Sequence, residues 1–304
     1  MNVLITGGAG YIGTELVASL AMLPTVKKII IYDNLSRANY NLFIGTNLNS
    51  HKIFYVNGDI LDSRKLKQAL MDVDIVFHFA AKVTTPFANT DAHIYEQVNH
   101  WGTAELTYAL EESRIKKFIF LSSAAVYGHT VSAADEKTTP SPESFYSISK
   151  LKAEKHVLRL TDKMNTIILR LGNVYGYSKS MRFDAMINKF IFDAHFTGRI
   201  TINGSGNQSR AFISIDKTRE ALLQIFQKEI PSGIYNLVDK NMQVLQVVEA
   251  VNEVFPGVES FFINQNYTGF QLEVKRESAL FSYIDFPDAD FTEELRNFKD
   301  RFAF

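Results

Sequence analysis

TGGAGYIG, residues 6–13, joins the apolar run NVLI to a stretch that takes up helical spacing near Tyr11. Gly7, Gly10 and Gly13 recur at every third position, with a wider first interval than the common G-x-G-x-x-G. A strand that turns straight into a helix needs positions without Cβ at the tight turn, where a phosphate approaches the backbone, and where the helix packs on the strand. Gly7 takes the first place, Gly10 the second and Gly13 the third. The N–H groups that open the helix, around Tyr11 and Ile12, then face the ligand as anion donors. Asp33 follows 20 residues after Gly13, closing the run KKIIIYD, with Asn34 next to it. A carboxylate there accepts hydrogen bonds from ribose hydroxyls and repels a 2′-phosphate, so NAD is expected over NADP. Arg37 is the nearby cation that would act the other way.

The same alternation continues outward. NVLIT, KKIII, KIFYV, DIVFHF, KFIFL and NTIILRL are continuous apolar runs, the pattern of strands buried on both faces. Amphipathic segments over 11–22, 63–71, 92–114 and 144–163 separate them. Together they predict an α/β fold, a Rossmann-type doubly wound parallel sheet. After about residue 172 aromatics mix with polar loops (NVYGYSKSMRF, FFINQNYTGF) up to a final helix-like FTEELRNFKDRF. Residues 1–172 are expected to form the NAD-binding domain and 173–304 mainly a smaller substrate-binding lobe. Part of 211–238 is expected to return to the first sheet, through the strand-like GIYNLV.

Composition narrows the function classes. The 304 residues carry 32 Lys plus Arg against 33 Asp plus Glu, so no general attraction to nucleic acid or anionic membrane is expected. There are no cysteines, which removes disulfides, zinc–thiolate sites and cysteine nucleophiles. The chain enters a strand at residue 2 and has no apolar run of about 18 residues, so a soluble cytoplasmic protein is expected. The seven histidines show no metal spacing, and there is no H-E-x-x-H or G-x-S-x-G.

In SFYSISKLKAEKHV, Tyr146 and Lys150 are four apart and share one helix face. A tyrosine that takes a proton from an alcohol near neutral pH needs its phenol lowered from about 10 to about 7, roughly 4 kcal/mol. A lysine charge at about 4 Å supplies a comparable amount at an effective dielectric near 20. Tyr146 is therefore the candidate base and Lys150 its electrostatic tuner.

With TGGAGYIG, the segments GDI (58–60), HFAA (78–81), VNHWGT (98–103), SSAAVYG (122–128), YSISK (146–150) and LRLGNVYG (169–176) occur in order. This set, continued by GSGNQSRAFISID (204–216) and GIYNL (233–237), resembles the extended short-chain dehydrogenase/reductase family, in particular its nucleotide-sugar epimerase/dehydratase branch. The resemblance covers roughly residues 1–240. It implies that Asp59 and Ile60 hold the adenine, that Ala80, Ala81, Lys82 and Asn99 line the cofactor, and that Ser123 is the catalytic serine sharing a proton with Tyr146. By the same resemblance, Asn173 contacts a sugar diphosphate and Arg210 meets a phosphate or the nucleotide, although the aspartate usual after this arginine is replaced by Ala211. Arg276 is the candidate second diphosphate clamp. A homodimer is implied through the helices over 92–114 and 144–163; their apolar positions could equally be internal core.

Members of this branch begin by moving a hydride from a ring carbon of the sugar, often C4, to NAD+. Dehydratases of the branch carry an adjacent Asp-Glu where this chain has Ala124 and Ala125, and a methyl group neither accepts nor delivers a proton. A dehydratase would therefore need Asp135 or Glu136 to fold back into the site. The expected reaction is 4-epimerisation of a nucleotide sugar. A C4 dehydrogenase or 4-ketoreductase is the alternative, and a non-catalytic NAD-sensing protein is the third reading.

Overall fold

The computed structural model describes residues 1–44, 50–83, 91–264 and 271–303; the end of the FFINQNYTGF segment, 265–270, lies outside them. Strands β1 (Asn2–Thr6), β2 (Lys28–Asp33), β3 (Ile53–Asn57), β4 (Ile75–His78), β5 (Lys117–Ser123) and β6 (Asn165–Leu171) form one parallel sheet. Beyond them come β7 (Asn173–Tyr175), β8 (Arg199–Asn203), β9 (Ser209–Ser214) and β10 (Gly233–Leu237). β10 adds a seventh strand beside β6, giving the order β10-β6-β5-β4-β1-β2-β3. The order reverses direction at β1 and β4, and in doubly wound sheets the crevice at such a reversal is where ligands bind.

Both faces of the sheet are covered, which explains the continuous apolar runs. Val3 and Ile5 of β1 pack in one cluster with Leu16 and Val17 of α1 (Tyr11–Met22). Leu4, pointing the other way, packs with Leu66 of α2 (Ser63–Ala69). One segment departs from expectation. KIFYV forms β3, but Phe54 and Tyr55 are exposed because β3 is the edge of the sheet, with β2 on one side only.

The stretch predicted as one helix over 92–114 is α3 (Ala92–Tyr95), a π-helical turn (Glu96–Trp101) and α4 (Gly102–Glu111). The wide turn carries the buried Asn99, and such turns recur at functional sites. α5 (Phe145–Leu158) opens on a reciprocal cap in which the side chains of Ser144 and Ser147 bond each other's backbone.

The remaining chain gives α6 (Met186–Thr197), α7 (Ile215–Gln227), β11 (Lys240–Gln243), α8 (Val244–Val254), β12 (Glu259–Ile263) and α9 (Phe291–Lys299). α7 covers the first sheet beside α1, joining its apolar cluster through Leu222 and Ile225. Helices α6, α8 and α9 enclose a separate core with Phe190, Val247, Val251 and Leu295. A three-stranded sheet, β11-β9-β7, stands beside the C-terminal end of β6, since β7 starts two residues after it. Among the described residues no helix is long and apolar enough to cross a membrane.

Candidate active site

At the end of β1 the chain turns sharply. Gly7 has φ +69° and a Cβ there would lie 2.6 Å from the backbone nitrogen of Ala80. A Cβ on Gly13 would lie 2.5 Å from the Gly7 carbonyl oxygen, so α1 sits directly on the turn. Gly10 precedes the helix, and no side chain caps it. Its hypothetical Cβ meets only the Gly7 oxygen, at 3.1 Å, leaving an approach to the first N–H groups of the helix.

That turn opens on a cleft of about 560 Å³ walled by Gly7, Gly10, Asp33, Asn34, Asp59, Ile60, Ala80, Ala81 and Lys82, with Arg37 also on the wall. The Asp33 carboxylate accepts from the Ala9 N–H at 3.0 Å and the Leu35 N–H at 2.8 Å. Burial raises its pKa, with those two bonds opposing. Asn34 donates to Asp59 at 2.9 Å, bracing this end of the cleft. Asn99 accepts from the Lys82 N–H at 2.7 Å and donates to the Lys82 carbonyl at 2.9 Å, clamping the loop after β4. A glycine cradle under an uncapped helix start, with a carboxylate at the end of β2, fits the adenosine diphosphate portion of a dinucleotide.

The side chains of Tyr11 and Ile12 have partners of their own. The Tyr11 hydroxyl donates to the Gly176 carbonyl at 2.6 Å and receives Asn188 at 3.1 Å, while Ile12 packs on the core.

Ser123, Tyr146 and Lys150 converge at the end of β5. The chain turns there into a 3₁₀ segment, Ala124–Tyr127, whose N–H at Ala125 donates to the Ser123 hydroxyl at 3.2 Å. The Ser123 side chain also lies near enough to the Tyr146 hydroxyl to act on its pKa. The Lys150 ammonium donates to the Leu121 carbonyl at 2.7 Å and lies 4.8 Å from the centre of the Phe120 ring. Burial brings it down to about 7, against the pull of Glu154.

The expected lysine-to-tyrosine tuning is not what the structure displays. Burial holds the Tyr146 phenol above its ordinary value, and the opposing influences are the Ser123 side chain and the charge of Arg182. Helical spacing does put Lys150 one turn from Tyr146, but the ammonium takes a backbone carbonyl as its acceptor.

The expected substrate residues separate into two places. Asn173 is exposed at the start of β7 and donates to the Ala211 carbonyl at 3.0 Å. Arg210 lies on β9, in register with Met242 of β11, so both belong to the three-stranded sheet. Arg276 is engaged by the carboxylates of Asp288 and, at 3.5 Å, Asp239. Its role as a clamp would require it to exchange those partners. Asp135 is bonded to Lys275 at 2.9 Å, and Glu136 accepts from the Asn236 N–H at 2.9 Å and the Ser278 hydroxyl at 2.6 Å. Both acids are thus held by partners other than the Ala124–Ala125 segment.

Two features had no readable motif. Arg182, which acts on Tyr146, lies in the loop before α6 and is bonded to Asp184 at 3.4 Å. His78 bridges Thr6 at 2.6 Å and Thr103 at 2.9 Å beneath the cleft. Only the folded sheet brings these three together.

A dinucleotide cleft beside a serine, a tyrosine and a lysine at the C-terminal ends of a doubly wound sheet defines a short-chain dehydrogenase/reductase architecture. The chain belongs to the NAD dependent epimerase/dehydratase family, whose model matches residues 3–237. It is 30% identical over 301 residues to the dTDP-D-glucose 4,6-dehydratase of Bos taurus, covering 97% of this chain and 80% of that one. It is 32% identical over 230 residues to a putative UDP-glucose 4-epimerase of Methanocaldococcus jannaschii, covering 73% and 72%. Among solved structures, the UDP-N-acetylglucosamine 4-epimerase of Methanobrevibacter ruminantium, in complex with UDP-N-acetylmuramic acid, superposes with a TM-score of 0.86 at 28% identity, covering 98% and 97%. The UDP-glucuronic acid 4-epimerase of Bacillus cereus, in complex with NAD, gives 0.86 at 23% identity over 99% and 98%, a likeness of fold. The protein is an NAD-dependent enzyme of the nucleotide-sugar epimerase/dehydratase kind.

Proposed function

We propose that the protein is a nucleotide-sugar 4-epimerase. The carrying observation is the pair Ala124 and Ala125 beside Ser123, together with the engagement of Asp135 and Glu136 elsewhere. Eliminating water requires one group to remove the C5 proton and another to protonate the departing C6 hydroxyl, and methyl groups do neither. That weighs against dehydration, although the bovine relative carries the name of a dehydratase. Epimerisation at C4 needs only a hydride removed from and returned to that carbon, proton exchange at its hydroxyl and a sugar ring free to present either face.

In this reading NAD, when bound, accepts and returns the hydride. Tyr146 takes the proton of the C4 hydroxyl and gives it back, and Ser123 hydrogen-bonds the same oxygen and passes the proton along. Lys150 supplies the positive charge that favours the phenolate once its ammonium turns from the Leu121 carbonyl towards Tyr146. The cofactor is held by the Gly7–Gly13 turn, Asp33, Asn34, Asp59, Ile60, Ala80–Lys82 and Asn99, and the sugar diphosphate by Asn173 and Arg210, with Arg276 joining once released from its carboxylates. The protein works in the cytoplasm as a homodimer joined through the helical stretches 92–114 and 144–163, where Trp101, Tyr108, Phe145 and Leu158 are exposed. Light scattering tests that assembly, and a monomer would remove it.

The decisive experiment incubates the enzyme with NAD and a panel of nucleotide sugars, with product identification by NMR. C4 epimers without net absorbance at 340 nm are expected. Sustained NADH formation would replace the reading with a C4 dehydrogenase, and a 4-keto-6-deoxy product would replace it with a dehydratase.

A further inference from the structure

Beneath the catalytic strand lies a fully enclosed ion pair. Glu154 and Arg170 have side-chain exposures of 2% and 4%. The guanidinium binds the carboxylate through two atoms, Nε to Oε1 at 3.1 Å and Nη2 to Oε2 at 2.7 Å. Oε1 also accepts the Ser122 hydroxyl at 2.5 Å, and Arg170 lies 4.9 Å from the centre of the Tyr127 ring. Taking two charges out of water is unfavourable enough that apolar residues of like volume would serve stability as well. The placement therefore invites a reason beyond packing.

The reason lies in what Glu154 reaches. It stands one helical turn after Lys150 and two after Tyr146 on α5. Ser122, which it binds, is the residue before Ser123. α5 thus grips the end of β5 twice, through Lys150 at the Leu121 carbonyl and through Glu154 at the Ser122 hydroxyl. Resting on the catalytic reading of Ser123, Tyr146 and Lys150, we propose that Glu154 is a positioning residue: it fixes the strand end that presents Ser123 and sets a carboxylate one helical turn from Lys150. The charged and titratable groups around Lys150 are Glu154 and Tyr146 on its own helix, His78 on β4 and Arg170 on β6 behind the carboxylate. Glu154 is the group that opposes the effect of burial on the lysine. Arg170 orients that carboxylate.

Removing one partner alone strands a buried charge, so the test replaces both, Glu154→Met with Arg170→Met, in the full chain. Lys150 is followed by NMR of labelled lysine side chains, its signal identified by its loss in Lys150→Arg. In the double variant its titration falls by about one unit or more, a tenfold gain in acidity. With a sugar from the panel, kcat falls on the order of 100-fold while KM moves little, and the alkaline limb of the kcat profile shifts to lower pH. Glu154→Asp separates the two effects and serves if the double variant fails to fold. It keeps the charge but shortens the reach to Ser122, so Lys150 titrates as in the parent while kcat falls about tenfold. An unchanged Lys150 titration in a folded double variant, or parental kcat in both variants, overturns the proposal. If the parent turns over no sugar, the epimerase reading fails separately, and the lysine titration still decides whether Glu154 sets that charge.

Discussion

Ser123 lies at the end of β5 and Tyr146 in the first turn of α5, and the serine side chain is near enough to the phenol to oppose the rise in its pKa caused by burial. Under the proposed mechanism a single substrate oxygen meets both groups.

Tyr146→Phe should therefore retain NAD binding and lose turnover by about 10²–10⁴-fold, the usual contribution of a positioned acid–base group. Isothermal titration with NAD and product assay separate the two quantities. Turnover at the parental rate in this variant would remove Tyr146 from the mechanism.

Asp33→Ala should weaken NAD and narrow the preference over NADP, because the variant loses both the ribose acceptor and the repulsion of a 2′-phosphate. In the structure this carboxylate also holds the Ala9 N–H of the glycine turn. Asp33→Asn, which keeps an acceptor oxygen, should recover part of the affinity for NAD. Equal affinities in parent and Asp33→Ala would remove the ribose contact.

Gly13→Ala should destabilise the fold by about 1–3 kcal/mol, the range for overpacking. The added methyl would meet backbone, the Gly7 oxygen at 2.5 Å and the Gly8 Cα at 2.7 Å, and backbone has little room to move. Gly10→Ala, with one contact at 3.1 Å, should fold well and instead weaken the dinucleotide. Thermal melts with and without NAD tell these apart.

Much of this was legible beforehand because it depends on local chemistry. The glycine triplet, Asp33 and the tyrosine–lysine spacing each sit within one strand–turn–helix unit, so their placement follows from short-range geometry. Buried strands likewise appear as unbroken apolar runs. The edge position of β3 was not legible, because KIFYV resembles the others and only pairing order decides which strand is last. Arg182 and the Thr6–His78–Thr103 bridge were equally hidden, since their members come together only in the tertiary fold. The π turn around Asn99 has the composition of an ordinary helix. Lys150 illustrates a different limit: spacing told which face it occupies, but not which acceptor its ammonium would choose.

His78 should make the protein sensitive to acid. Its imidazole is buried between two threonine hydroxyls, and burial holds it down to about 3. In the unfolded chain it titrates near 6.5, so between those values the unfolded state binds a proton that the native state refuses. Stability must then fall as pH drops through that window. In His78→Gln, the loss of stability between pH 7 and pH 4.5 should shrink by about 2 kcal/mol, measured by urea unfolding at both values. An equal loss in parent and variant would place the acid sensitivity elsewhere.

The start of α1 leans on chain that is made much later. The Tyr11 hydroxyl and carbonyl are held by Gly176 and Ser178, Thr14 by Ser180, and Glu15 by the N–H of Lys179. The sheet itself gains β10 only from residues 233–237. A nascent polypeptide that has just released its first 172 residues thus owns the phosphate turn but neither its buttress nor its last strand. Maturation of the cofactor cleft must await synthesis of the second half, so a ribosome-stalled intermediate of that length should bind nucleotide poorly and present an unpaired β6 edge to chaperones.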